Sequence, residues 1–172
     1  KEGGGDMAEL MDILDENRNK TGRIIERSIP MKKGEYHLAV SVWIKNDAGE
    51  YLISKRSPMK RISPNMWETT GGVVMSGEDS LTAALREVSE ELGIELSAEN
   101  GRIVKRYTYP HVTDDGAAHI DVWLFCQNVD INTVVLQKEE TCDAMWASVE
   151  QIRLMAARKL MFDYDYFDEI AQ

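Results

Sequence analysis

Gly72-Val73-Val74-Met75-Ser76-Gly77-Glu78-Asp79-Ser80-Leu81-Thr82-Ala83-Ala84-Leu85-Arg86-Glu87-Val88-Ser89-Glu90-Glu91-Leu92-Gly93-Ile94 is the stretch on which the fold turns. Leu81, Leu85, Val88 and Leu92 recur at spacings of four, three and four, the apolar stripe of a helix running from about Asp79 to Leu92. Asp79 or Ser80 can cap its start, and Gly93 follows the last turn, where a left-handed residue is wanted. Glu87, Glu90 and Glu91 occupy a second face, within about 100° of one another and pointing away from the leucines. Like charges at such spacings repel by a few tenths of a kcal/mol per pair, and no lysine is interleaved to relieve them. Arg86, four residues before Glu90, can hold one carboxylate through a fork of hydrogen bonds, with its partner left open by the sequence.

Carboxylates gathered without His or Cys offer hard oxygen ligands, the preference of Mg²⁺ or Mn²⁺ rather than zinc. Such an ion also takes anionic partners, typically phosphate oxygens, and an acidic protein cannot readily hold a diphosphate without one. Ahead of the helix, Gly71-Gly72 and Ser76-Gly77 allow bare backbone to approach a ligand.

Outward from this helix the pattern has a period of two. Met11–Leu14 and Thr21–Ile25 flank an Asp/Asn-rich turn, and His37–Ile44 and Tyr51–Ser54 flank Asn46-Asp47-Ala48-Gly49, so two hairpins are expected. Trp67–Thr70 and Val73–Met75 read as strand pieces around the paired glycines. Ile103–Tyr109 and His119–Gln127 read as strands joined by a loop through Thr113-Asp114-Asp115-Gly116, and Ala144–Ala147 as a shorter one. Ser148 opens a helix to about Ala157, and the aromatic, acidic tail Phe162–Ile170 is expected to be helical. Strands, helix, strands, helix is the order of an α/β domain with a mixed sheet and helices on its faces.

The 172 residues suit one domain, taken as 7–172, with Lys1–Asp6 set aside as a flexible leader or an appended remnant. Twenty Lys and Arg against 30 Asp and Glu give a net charge of −10, which repels polymeric nucleic acid. No run approaches the length of a membrane span and the start lacks signal-peptide order, so a cytoplasmic protein without a membrane partner is expected. A homodimer is compatible with this composition. Cys126 and Cys142 lack metal-site spacing and are read as buried thiols.

Gly72, five residues, Glu78, seven residues, then Arg86-Glu87-Val88-Ser89-Glu90-Glu91-Leu92-Gly93-Ile94 resembles a complete Nudix box, matching at all nine specified positions. Chance would produce this in such a chain with a probability on the order of 10⁻⁷. The resemblance implies an α/β/α sandwich and a metal-dependent hydrolase that cleaves a diphosphate linkage in a small phosphorylated substrate, either a nucleoside diphosphate linked to some moiety X or an isoprenoid-type diphosphate. It implies Glu87, Glu90 and Glu91 as Mg²⁺ or Mn²⁺ ligands, one of them serving also as base, and Gly71 as the donor of a carbonyl to the metal. Glu78 would stand behind these ligands or bind a further ion, and Arg86 would orient the glutamates. Many Nudix proteins place an extra glutamate before a late strand, which makes Glu140 a candidate base or ligand.

A narrower likeness runs through Asp12–Asn17, Gly22, Arg27, His37, Val42-Trp43, Ser54-Lys55-Arg56 and Pro64–Trp67, which is similar to the branch that includes isopentenyl diphosphate isomerase. The isomerase uses a cysteine just before the box glycine and a degraded glutamate segment, whereas here Gly71 fills that place and the segment is intact. Hydrolysis is therefore preferred to isomerisation, and to a role as a ligand-sensing module. Lys55 and Arg56, with Lys60 and Arg61 nearby, form a basic island read as a phosphate clamp, and Gly72 is placed beside the substrate. Tyr107, Tyr109 and Trp123 are read as strand packing, and His37, His111 and His119 as surface or strand histidines rather than ligands.

Overall fold

The computed structural model describes residues 8–109 and 117–172; the expected leader, His111 and the loop through Thr113–Gly116 lie outside the described residues. Among the described residues nine strands form one sheet: β1 (Leu10–Leu14), β2 (Lys20–Glu26), β3 (Tyr36–Lys45), β4 (Tyr51–Arg56), β5 (Trp67–Glu68), β6 (Thr70–Val73), β7 (Gly101–Tyr109), β8 (Ala117–Cys126) and β9 (Thr141–Ala147). The helices are α1 (Ser80–Leu92), α2 (Val149–Ala157) and the short α3 (Phe167–Ile170).

The central strand is β3. One of its edges is shared in turn by β1, β6 and β4, all antiparallel, and the other runs parallel to β8 in unbroken register from Tyr36↔Ala117 to Lys45↔Cys126. The sheet is therefore mixed. Alternation along β3 divides the core in two. Val40, Val42 and Ile44, with Leu52, Trp123 and Phe125, pack under α1. Trp43, with Tyr51, Ile53, Val122 and Leu124, packs under Ile152 of α2 and Phe167 and Ile170 of α3. Helices on both faces of a mixed sheet make the expected α/β/α sandwich. Among the described residues no helix is long and apolar enough to cross a membrane.

The ends of α1 match the sequence reading, since the Asp79 carboxylate accepts from the Thr82 amide at 2.7 Å and Gly93 closes the helix at φ 65°. Its buried face is rotated slightly from the leucines: Ala83, Ala84, Val88 and Leu92 are buried, and Leu81 and Leu85 pack at the margin. The paired alanines let the helix sit close on the sheet. The Trp123 indole also donates to Ser80 Oγ at 2.8 Å, tying β8 to the helix start. Ser148 caps α2 in a reciprocal capping box with Gln151.

Three expectations are corrected. The piece at Val73–Met75 is displaced, because pairing with β3 from Ala39↔Val73 to Val42↔Thr70 makes the strand Thr70–Val73. The tail is helical only over Phe167–Ile170. Before that, residues 162–164 have no regular structure and Asp165-Tyr166 form a turn, which buries Tyr166 with its hydroxyl near Ser41 Oγ at 3.2 Å and the Trp43 indole at 3.4 Å. Cys126 and Cys142 are free and exposed, because one ends β8 and the other faces outward at the start of β9.

Candidate active site

A cavity of about 550 Å³ opens where α1 passes the N-terminal hairpin and the ends of β4, β5 and β6. Its acidic wall combines Glu87, Glu90 and Glu91 from α1, Glu68 from β5 and Glu140 from the turn before β9. Arg27, Arg56 and Lys60 line the same cavity, and Gly71 and Gly72 form part of its lining. A second opening of about 440 Å³ continues outward along Arg27, Arg56, Lys60 and Ile62, and adds Met59 and Arg61.

Arg86 organises this wall with every donor it has. Nε and Nη2 fork onto Glu78 at 2.7 and 3.0 Å, Nη2 also reaches the Val73 carbonyl at 3.0 Å, and Nη1 reaches Glu87 at 2.9 Å and Glu90 at 3.1 Å. Five guanidinium hydrogens thus meet five oxygens. The sequence left this partner open, and the answer is three carboxylates at once. Glu78 also accepts from the Met75 amide at 3.0 Å, so both its oxygens are occupied behind Arg86 and outside the lining of the cavity. These bonds hold its carboxyl below the usual range, the Arg86 hydrogen bonds most of all.

The glycines are required by contact. An ideal Cβ on Gly72 would lie 2.1 Å from a Glu87 carboxylate oxygen, and one on Gly71 would lie 2.3 Å from the Val40 carbonyl. The two obstacles differ in kind, a mobile side chain in one case and a sheet backbone in the other. Gly72→Ala is therefore expected to fold normally yet lose about 10²-fold in activity as Glu87 is pushed aside. Gly71→Ala is expected to cost stability directly, about 1–3 kcal/mol. Thermal melts and initial rates on the two variants check the contrast.

The basic island divides by strand alternation. Arg56 faces the cavity, where Nη1 holds Glu68 at 3.0 and 3.1 Å while Nε and Nη2 hold the Ile62 carbonyl at 3.1 and 2.9 Å. Lys55 points to the opposite side, its Nζ 5.9 Å over the Trp67 ring, and it is not among the described residues that line the cavity. Lys60 pairs with Glu140 across the cavity mouth, and Glu139 is exposed. His119 is buried on β8, bonded at 2.8 Å to both Thr108 and the Asp15 carbonyl, which is a structural role.

Sequence reasoning missed Glu68. Its only signal was position: strand alternation places residue 68 on the face of residues 70 and 72, next to the paired glycines.

The donor set suits a hard divalent cation. Arg86 shares its single charge among Glu78, Glu87 and Glu90, Arg56 pairs with Glu68, and Lys60 pairs with Glu140. Among the described residues no cation pairs with Glu91, whose carboxyl is pushed up to about 9 by burial and then by Glu87, Glu68 and Glu140. A metal ion would supply the charge this wall lacks. The side chains do not yet converge: among the described residues, no three His, Cys, Asp or Glu are drawn together tightly enough to hold an ion.

Comparison with known proteins agrees with this arrangement. The NUDIX domain model matches residues 35–169. An uncharacterized Nudix hydrolase of Listeria monocytogenes is 33% identical over 163 residues, covering 94% of this chain and 93% of that one. An isopentenyl-diphosphate Delta-isomerase of Mycolicibacterium vanbaalenii is 29% identical over 153 residues, covering 88% and 83%. The crystal structure of a Deinococcus radiodurans protein superposes with a TM-score of 0.72 at 24% identity, covering 95% of this chain and 97% of that one. A family model that takes in α1, α2 and the sheet from β3 onward, and a relative that aligns over 94% of the chain, leave one conclusion: the chain belongs to the Nudix family.

Proposed function

We propose that this protein is a Mg²⁺- or Mn²⁺-dependent hydrolase of a diphosphate linkage in a small molecule, either a nucleoside diphosphate joined to a further group or an isoprenoid-type diphosphate. The observation that carries this reading is a single cavity lined both by carboxylates, Glu68, Glu87, Glu90, Glu91 and Glu140, and by the cations Arg27, Arg56 and Lys60. A divalent cation on the carboxylates and a diphosphate on the basic groups complement both kinds of lining residue, and about 550 Å³ accommodates a ligand of that size.

The ion, when bound, would neutralise diphosphate oxygens and lower the pKa of a water molecule. Arg27, Arg56 and Lys60, which line the same cavity, would bind diphosphate oxygens and fix the direction of the substrate. Glu87, Glu90 and Glu91, with the Gly71 carbonyl, are assigned as the metal-binding groups. Gly72 has no side chain, so Glu87 can lie flat against the strand beside the substrate. Either Glu91 or Glu140 accepts the proton of the attacking water, and both line the cavity from different elements.

The likeness to an isomerase gives a second reading, and the backbone disfavours it. The isomerase cysteine would fall at Gly71, where even a Cβ would meet the Val40 carbonyl at 2.3 Å. No protonating side chain fits there without moving β6 from β3. A module that only senses its ligand would not need five carboxylates on one wall. A panel of diphosphate compounds incubated with Mg²⁺, followed by release of phosphorylated products, tests the proposal. Isopentenyl diphosphate in that panel is expected to yield no dimethylallyl isomer by mass-resolved chromatography; its appearance would overturn the hydrolase reading.

A further inference from the structure

Resting on this metal reading, we propose that Lys60 is a built-in counter-ion of the acidic wall that competes with the divalent cation for Glu140, so that metal entry requires the lysine to let go. Lys60 stands on the turn that follows β4, and its Nζ bonds to Glu140 Oε2 at the mouth of the cavity. The pair is placed by the backbone. The Ser57 amide donates to the Glu140 carbonyl at 2.8 Å, and the Lys60 amide to the Ser57 carbonyl at 3.1 Å, so the lysine and its carboxylate are carried by two turns stitched together.

The neighbouring pairs are of another sort. Arg56 and Arg86 are rigid forks spread over several oxygens each, and neither can leave without orphaning a carbonyl as well as carboxylates. Lys60 makes one side-chain contact on a flexible stem, and its side chain keeps 24% of its surface exposed. Water can take over its ammonium at little cost. Of the cations paired to this wall, it is therefore the one built to exchange. It also touches the carboxylate next to Glu91, the one member of the wall with no cation of its own among the described residues. A metal ion drawn to Glu91 meets the Lys60 charge at close range, and the two positive charges share the wall only by moving apart.

The test is the affinity for Mn²⁺ alone, read as free Mn²⁺ by electron paramagnetic resonance without substrate. Lys60→Met and Lys60→Gln are expected to bind Mn²⁺ roughly tenfold more tightly than the parent protein, within the span of ordinary site-to-site couplings. Lys60→Arg is expected to stay close to the parent. The gain should vanish when Glu140→Gln accompanies Lys60→Met, because the competition is for that carboxylate. Unchanged or weaker Mn²⁺ binding in both neutral variants, with the parent binding Mn²⁺ normally, overturns the counter-ion role and leaves the metal reading intact. A parent protein that binds no Mn²⁺ sinks the metal reading, and the inference with it.

Discussion

Glu91→Gln is expected to lower kcat by about three orders of magnitude or more while leaving the fold intact, because one isosteric change removes the carboxylate at the centre of the acidic wall. Structural damage would not explain such a loss. Among the described residues Glu91 has no cation partner, and the charge it carries when ionised is opposed by burial and by Glu87, Glu68 and Glu140. Its carboxyl is raised to about 9 in the folded chain from an ordinary 4.5. For a carboxylate raised on folding, the protonated form is the favoured one. The stability it contributes is full below the unfolded value and drains away as pH climbs from about 4.5 towards about 9. In chelator, the parent protein should therefore melt at falling temperature across that interval, and Glu91→Gln should flatten the decline. A variant that loses both activity and thermal stability in chelator at pH 8 would contradict this account of Glu91.

Arg86→Lys should be nearly as severe, and for a different reason. Lysine keeps the charge but cannot place five donors in a plane, so Glu78, Glu87, Glu90 and the Val73 carbonyl cannot all be held. Breaking a buried ion pair costs roughly 3–5 kcal/mol. Since the Arg86 side chain keeps 18% exposure, about 2 kcal/mol is the expected loss. Activity should fall about 10²-fold through misplacement of Glu87. The pH signature runs opposite to that of Glu91. Glu78 is depressed by its bonds to Arg86, so its contribution is present above the usual carboxylate range and is lost as pH falls through the folded value. The loss caused by Arg86→Lys should therefore be full at neutral and alkaline pH and shrink in acid, where Glu78 is protonated in parent and variant alike. Denaturant titrations at pH 4, 6 and 8 are expected to show equal losses at pH 6 and 8 and a smaller one at pH 4.

How much of this was legible beforehand follows from where each residue lies in the chain. The α1 helix, its caps and its glutamate face were readable because a period of 3.6 places residues 87, 90 and 91 together without any tertiary information. The hairpins were readable because the turn residues announce them. The parallel union of β3 with β8 was not, since Tyr36 and Ala117 lie 81 positions apart and nothing local specifies their register. The acidic wall was visible in part: Glu140 was a candidate through the family resemblance alone, and Glu68 was missed because it joins the wall through β5, away from the helix that carries the other glutamates. Lys55 and Arg56 were equal candidates in sequence, and only the orientation of β4 separates them. The tail misled because aromatic residues among acidic ones suit either period. Ser41 and Trp43 on the sheet hold the Tyr166 hydroxyl, and the chain reaches them through irregular backbone and a turn, so only its last residues are helical.

The central claim is that the carboxylate wall works through a divalent cation. Turnover of a hydrolysed diphosphate substrate, measured in Mg²⁺, then in excess chelator, then after Mg²⁺ is restored, addresses it directly. The account predicts normal rates, then none, then full recovery; turnover that persists undiminished in chelator would contradict it.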